Sequence, residues 1–304
     1  MDNLTHTLTG VAVARLGLDK RVHGATLTLA LACNLPDIDI VAGLAGSGAY
    51  LEHHRGITHA LPATLVLAAG LALILSKWPK SQRPLVPTFF VAWLGLVIHI
   101  VEDLWTSYGT RALLPFDAHW YSWDWVFIVD PTLLLLLACA CFGARVLKRS
   151  SANRWAMAGV LAYIALRCGA HSLAQKQAED LVGPQFTLVR AFPDPLALNR
   201  WRFLASNPST FASGAVPAIG SARSKVTFER APSDALVNRV AQESRLARVF
   251  LDFSPFPRLE VRPEGDLKVI VWRDLRFADR RADGFLCEVK VDASGKVVSE
   301  RIVF

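Results

Sequence analysis

The chain has 304 residues, 52% of them apolar and 19% charged, with a formal net charge of +7. That composition excludes an ordinary soluble domain and reads as a membrane protein. The positive charge is partly a sign of membrane orientation, and no basic footprint for nucleic acid stands out.

Six apolar runs precede about residue 172: A 7–18, B 24–36, C 60–76, D 85–103, E 125–147 and F 155–172. A helix rises about 1.5 Å per residue and the hydrocarbon core is roughly 30 Å thick, so C to F are of spanning or near-spanning length. A and B are short, and fit a hairpin reaching part-way into the bilayer or helices facing a cavity. Run A lacks the basic start and the cleavage site of a targeting signal, and is kept in the mature chain.

Basic residues set the orientation. Lys20 and Arg21 lie between A and B, Lys77, Lys80 and Arg83 between C and D, and Arg145, Lys148, Arg149 and Arg154 between E and F. The B–C and D–E loops carry only Arg55 and Arg111. The first three loops therefore belong in the cytoplasm, and the N-terminus, the other loops and everything after run F outside.

Residues 173–184 read as a linker, and 185–304 as a small α+β domain on the extracytoplasmic side. Strand-length runs occur at 185–192, 225–229, 247–253, 267–272, 285–291 and 296–304, with a hairpin turn at Gly295. One helix is expected at 234–246, capped by Ser233 after Pro232. The expected architecture is thus an α-helical polytopic membrane domain, 1–172, followed by an α+β soluble domain. Cys33, Cys139, Cys141 and Cys168 sit in apolar runs, leaving Cys287 alone in its domain, so no disulfide framework is expected.

The segment Glu52-His53-His54-Arg55-Gly56-Ile57-Thr58-His59 borders run C. Such groups are costly beside hydrocarbon unless something binds them. His6 opens run A, Asp37 and Asp39 follow Pro36 after run B, and His99 and Asp103 close run D on one helical face. Each piece taken singly has an ordinary reading: Asp37 and Asp39 as caps, His99 as a hydrogen-bonded helix histidine, His6 as a near-terminal residue, His53 as a solvated neighbour. Jointly they fall at the outer ends of their segments in a topology drawn without them. Imidazole and carboxylate together suit zinc, with manganese or iron as alternatives, and the cluster has ligands for one to three ions. Arg55 is a fixed cation suited to a phosphate.

His6, Leu-Pro-Asp-Ile-Asp at 35–39, His-Arg-Gly-Ile-Thr-His at 54–59 and the stretch His99 to Phe116 resemble, in order and spacing, a family of membrane-bound hydrolases described as LexA-binding and inner-membrane-associated. The resemblance covers roughly residues 1–175. It implies a multi-spanning protein of the inner membrane with a metal site and hydrolase activity. The matching positions are His6, Asp37, Asp39, His54, Arg55, His59, His99 and Asp103, while His53 falls outside the pattern. A looser similarity is to zinc-dependent phospholipases C.

The function expected from these readings is metal-dependent hydrolysis of a phosphoester or other polar bond in a lipid or lipid-linked substrate. His6, Asp37, Asp39, His54, His59, His99 and Asp103 hold the divalent metal, Arg55 binds the phosphate or developing charge, and Asp39 or Glu52 acts as general base. The chief alternative is a non-catalytic membrane sensor or regulator with a structural metal. A transporter is disfavoured because the polar residues gather at one side of the membrane. Trp120, Tyr121, Trp123 and Trp125 fit an interfacial aromatic belt, and His119 is an extra candidate ligand.

Overall fold

The computed structural model describes residues 1–79, 81–149, 151–221, 223–229, 234–278 and 285–304. The chain forms two compact units, one of Met1–Asp39, Arg55–Ala174 and Phe192–Trp201, the other of Ile40–His54, Gln175–Ala191 and Arg202–Phe304.

In the first unit, α1 (Asn3–Val13) starts where the Asp2 side chain accepts from the backbone N–H groups of Leu4 and Thr5. It ends in a wide turn, Ala14–Leu18, in which Gly17 takes a φ of +118° open only to glycine. Helix α2 (Ala25–Ala32) gives way to a 3₁₀ helix, Pro36–Ala45, because Pro36 has no N–H to continue the α-helical ladder. Helix α3 (Ser47–His53) belongs to the second unit, and a 3₁₀ turn at Ile57–His59 leads into α4 (Leu61–Lys77). After α5 (Leu85–Leu104) comes α6 (Pro131–Val146), capped by the Asp130 side chain on the Leu133 N–H with Pro131 in the first turn. Helix α7 (Ala152–Val182) closes the series at 31 residues.

Buried residues at helical spacing join these helices. Leu133, Leu137, Ala140 and Cys141 of α6 pack with Met157, Val160 and Ile164 of α7, and Ala68, Leu71 and Leu75 of α4 pack with Ala92 and Leu96 of α5. Small residues let backbones approach, as membrane helices require when lipid gives no hydrophobic drive between them. A Cβ on Gly95 would sit 2.7 Å from the Ala32 Cβ and 3.4 Å from the Cys33 backbone nitrogen. Gly95→Leu is therefore expected to wedge α5 from α2 at a cost of about 1–3 kcal/mol. A lower temperature of half-loss of folded protein in detergent checks this.

Among the described residues, three helical stretches are long and apolar enough to cross a membrane, Ala25–Ala45, Leu85–Leu104 and Ala152–Val182, with a fourth if the bent pair Ser47–His59 and Leu61–Lys77 counts as one. The six expected runs thus reduce to three or four candidate spans. Run A ends at the Gly17 turn after 11 α-helical residues, and α6 keeps 16 residues because Asp130 and Pro131 start it late. Run B gains length from its 3₁₀ extension.

The stretch 173–184, expected as a linker, is helical through Val182. Ala174, Gln175, Lys176, Gln177, Ala178 and Glu179 are good helix formers, and the helix stops only at Gly183, whose φ is +85° and whose N–H closes on the Glu179 carbonyl.

Among the described residues, eight strands follow in two four-stranded sheets. Strands β1 (Leu188–Pro193), β2 (Arg200–Ser206), β3 (Thr210–Pro217) and β4 (Ser224–Glu229) run in the order β1-β2-β3-β4, and β5 (Pro257–Glu264), β6 (Leu267–Asp274), β7 (Leu286–Val291) and β8 (Val297–Val303) in the order β5-β6-β7-β8. The second sheet is an antiparallel meander. Its first hairpin turns at Gly265 and Asp266, pairing Glu264 with Leu267, and its last turns at Gly295, whose φ is +83°. That last turn matches the sequence expectation, as do β1, β4, β6, β7 and β8 to within a few residues. Strands β2, β3 and β5 were not foreseen.

The segment 247–253, expected as a strand, is helix. Asp234 caps α8 (Ala235–Glu243), and Ser244 accepts from the Ala247 N–H to start α9 (Arg245–Phe253). The expected single helix at 234–246 is therefore split at Ser244. In α9 the buried residues are Ala247, Phe250 and Phe253, the three-residue spacing of a helix face. Ser233 and Pro232, expected at the cap, lie outside the described residues. All five cysteines are free thiols. Burial pushes the Cys287 thiol up to about 12, which leaves it a small inert core residue.

Candidate metal centre

Four separate pieces of the first unit supply the centre. The first turn of the 3₁₀ helix gives Asp37 and Asp39, the loop before α4 gives Arg55 and His59, the last turns of α5 give His99 and Asp103, and α1 gives His6. His6, His59, His99 and Asp103 are fully buried. One ligand atom each from Asp37, His59, His99 and Asp103 can be chosen so that all lie within 4.8 Å of one another.

The imidazoles share one arrangement. His99 Nδ1 lies 2.7 Å from the Cys33 carbonyl oxygen, which can only accept, so the proton sits on Nδ1. His59 Nδ1 lies 3.1 Å from Asp39 Oδ2, and His6 Nδ1 lies 2.7 Å from Glu102 Oε2. Each acceptor favours the ring proton on Nδ1 and turns Nε2 toward the centre as the ligand atom.

Those three Nε2 atoms converge on Asp103. His59 and His99 stand 3.3 and 3.5 Å from Oδ2, and His6 stands 3.4 Å from Oδ1. The His59 and His99 Nε2 atoms are 3.0 Å apart, and Asp37 Oδ1 is 3.4 Å from the first and 3.7 Å from the second. Ring nitrogens and carboxylate oxygens thus face one another in a largely buried setting. Asp103 Oδ2 and His6 Nε2 have no hydrogen-bond partner among the described residues. Such a set repels itself unless a cation joins it, and two imidazoles with two carboxylates suit a divalent transition ion.

The surrounding groups hold these ligands still. Asp39 Oδ2 accepts from the Arg55 backbone N–H at 2.9 Å and from the Thr58 hydroxyl at 2.8 Å, besides facing His59. Arg55 takes a left-handed φ of 57°, which turns its buried guanidinium onto Asp103 Oδ1 at 2.9 Å. Its Nη1 donates to the Thr106 hydroxyl at 3.1 Å, and its charge lies 5.0 Å from the Tyr108 ring centroid. The Met1 amino group also pairs with Asp103.

The structure therefore brings together His6, Asp37, Asp39, Arg55, His59, His99 and Asp103. Glu52 and His54 belong to the second unit, where Glu52 pairs with Arg245 and His54 stacks on Tyr50 at 4.6 Å. His53 is exposed. His119 is exposed in its loop, its ring set edge-on against Tyr121 at 5.0 Å. Trp120 stacks under the Arg111 guanidinium at 4.4 Å, and Trp123 packs on Trp125 at 4.7 Å. Sequence reasoning passed over Glu102, which is buried beside Asp103 and grips His6. An uncompensated acid in the apolar helix α5 was the signal available.

Residues 1–175 match the family model described as YdjM inner membrane protein. Residues 237–303 match the model described as YfhP C-terminal alpha/beta plait domain. A relative from Bacillus subtilis (strain 168), described as Uncharacterized protein YfhP, is 25% identical over 304 residues, covering 96% of this chain and 91% of its own length. No solved structure matches. The similarity to zinc-dependent phospholipases C gains no support from these matches. With a matched region that takes in every residue of the centre and helices apolar enough to cross a bilayer, the chain is a membrane protein and belongs to the YdjM inner membrane protein family.

Proposed function

We propose that the protein is a multi-pass, metal-dependent hydrolase acting on a phosphoester or other polar bond of a lipid or lipid-linked substrate. The observation that carries this reading is the convergence of the His59 and His99 Nε2 atoms on Asp37 and Asp103 oxygens. Asp37, His59, His99 and Asp103 would hold the divalent ion, zinc by its ligand types, with His6 beside Asp103. A divalent ion in such a site supplies Lewis-acid activation of water.

The chain's own groups then have separable tasks. Asp39 and the Cys33 carbonyl keep the Nδ1 protons of His59 and His99 in place and so keep their Nε2 atoms available. Arg55, expected from sequence to bind a phosphate, spends Nη2 on Asp103 and Nη1 on Thr106, so its first task is to hold Asp103. Asp37, half-buried where the others are buried, is the ligand nearest to solvent or lipid. His54 keeps its proposed role as a ligand and Glu52 its proposed role as general base.

Apolar helices carry the site, and that setting favours a lipid or lipid-linked substrate. The basic loops favour an extracytoplasmic face for the site and for residues 185–304. The test is turnover of phospholipid and lipid-linked phosphoesters by detergent-purified protein with zinc, manganese or iron. Metal-dependent hydrolysis that falls by at least about 10²-fold in His99→Ala supports the proposal. Metal binding without turnover of any of these substrates favours the sensor reading instead.

A further inference from the structure

Glu102 has no part in the ligand set described above, yet it is 2% exposed near the end of an apolar helix, where a carboxylate is costly and persists only with dedicated partners. Both of its oxygens are used. Oε2 meets His6 Nδ1 at 2.7 Å, and Oε1 accepts from the Thr9 hydroxyl at 2.5 Å. Thr9 and His6 lie three residues apart on α1, so one helix face offers both partners.

The His6 ring spans two consecutive residues of α5. Its Nδ1 faces Glu102 and its Nε2 faces Asp103 Oδ1 at 3.4 Å, while its plane stacks on His99 with 3.9 Å between centroids. A ring held only by stacking could turn over and put ring carbons where its nitrogens stand. With Glu102 on one edge the proton stays on Nδ1, and Nε2, which has no hydrogen-bond partner among the described residues, stays bare.

We propose that Glu102, braced by Thr9, is a positioning residue that fixes the tautomer and ring orientation of His6 so that its Nε2 serves as a further ligand beside Asp103. This inference rests on the metal reading of the centre. The interaction is acceptor chemistry, so a neutral acceptor of the same shape sustains it. An ion pair between Glu102 and a cationic His6 would require the negative charge, and that difference separates the two roles.

Cobalt(II) alone is the probe, titrated into purified full-length protein and followed by its visible ligand-field absorption. Glu102→Leu is expected to loosen cobalt by about 10–100-fold, the usual effect of losing a partner that orients a ligand. His6→Phe, which keeps the stacking on His99 and removes both nitrogens, is expected to loosen it similarly. The double variant is expected to bind no more weakly than the weaker single one, and Glu102→Gln to stay close to wild type. Unchanged affinity in Glu102→Leu, additive losses in the double variant, or a Gln variant as weak as the Leu variant would each overturn the proposal. Should Glu102→Leu fail to accumulate, Thr9→Val carries the test. A several-fold loss that vanishes in the His6→Phe background supports the proposal, and wild-type affinity overturns it. A wild-type protein that binds no cobalt sinks the metal reading itself, an outcome distinct from all of these.

Discussion

Replacing Asp103 by alanine is expected to abolish stoichiometric metal and to destabilise the first unit by about 3–5 kcal/mol, because it strands the buried Arg55 charge without its partner. Asp103 is the residue on which three imidazole Nε2 atoms converge, so both effects have one cause. Asp103→Asn separates them. The amide keeps the volume and an acceptor for Arg55 but supplies no negative charge to a cation, so the metal is expected to be lost with a smaller fall in stability. Elemental content per folded protein, beside the midpoint of thermal loss in detergent, reads the two effects apart.

Phe250→Ala is expected to cost about 3–5 kcal/mol in the second unit and to leave metal content unchanged. Phe250 is fully buried on α9 beside Phe285, in a helix whose other buried contacts are Ala247 and Phe253. A large ring removed from one side of a short helix leaves a void that its two neighbours cannot fill. Protease sensitivity confined to residues 202–304, with metal retained, is the expected result. Equal loss of metal would mean that the two units depend on each other for folding.

Much of the centre was legible because its spacing follows from helix geometry. His99 and Asp103 are four apart in a continuous apolar helix and share a face, and Asp37 and Asp39 follow the proline that ends the α-helical ladder. What could not be read was which group touches metal and which holds a ligand in place. Asp39 and Asp37 look alike in the chain, yet Asp39 Oδ2 gathers the Arg55 N–H, the Thr58 hydroxyl and His59 Nδ1. Glu102 was hidden for a related reason: consecutive helix positions diverge by about 100°, so a periodic reading that places Asp103 on the site face places Glu102 off it. Only the bridging position of His6 reunites them.

The strand errors have the same kind of cause. In α9, Val249, Phe250 and Phe253 are strand-forming in type, and the helix is betrayed by the Ser244 cap and the three-residue spacing of its buried side. Strand β5 begins with Pro257 and alternates Arg258, Glu260 and Arg262 with Leu259 and Val261, an edge strand with too little apolar sequence to announce itself.

The most direct test of the metal centre is elemental analysis of detergent-purified protein, wild type beside His59→Ala and Asp103→Asn, after incubation with zinc, manganese or iron and removal of loose ions. Stoichiometric metal in the wild type and its absence from both variants is the predicted result. A folded wild-type protein that holds none of these ions would contradict it, and would leave the converging imidazoles and carboxylates as a protonated polar network.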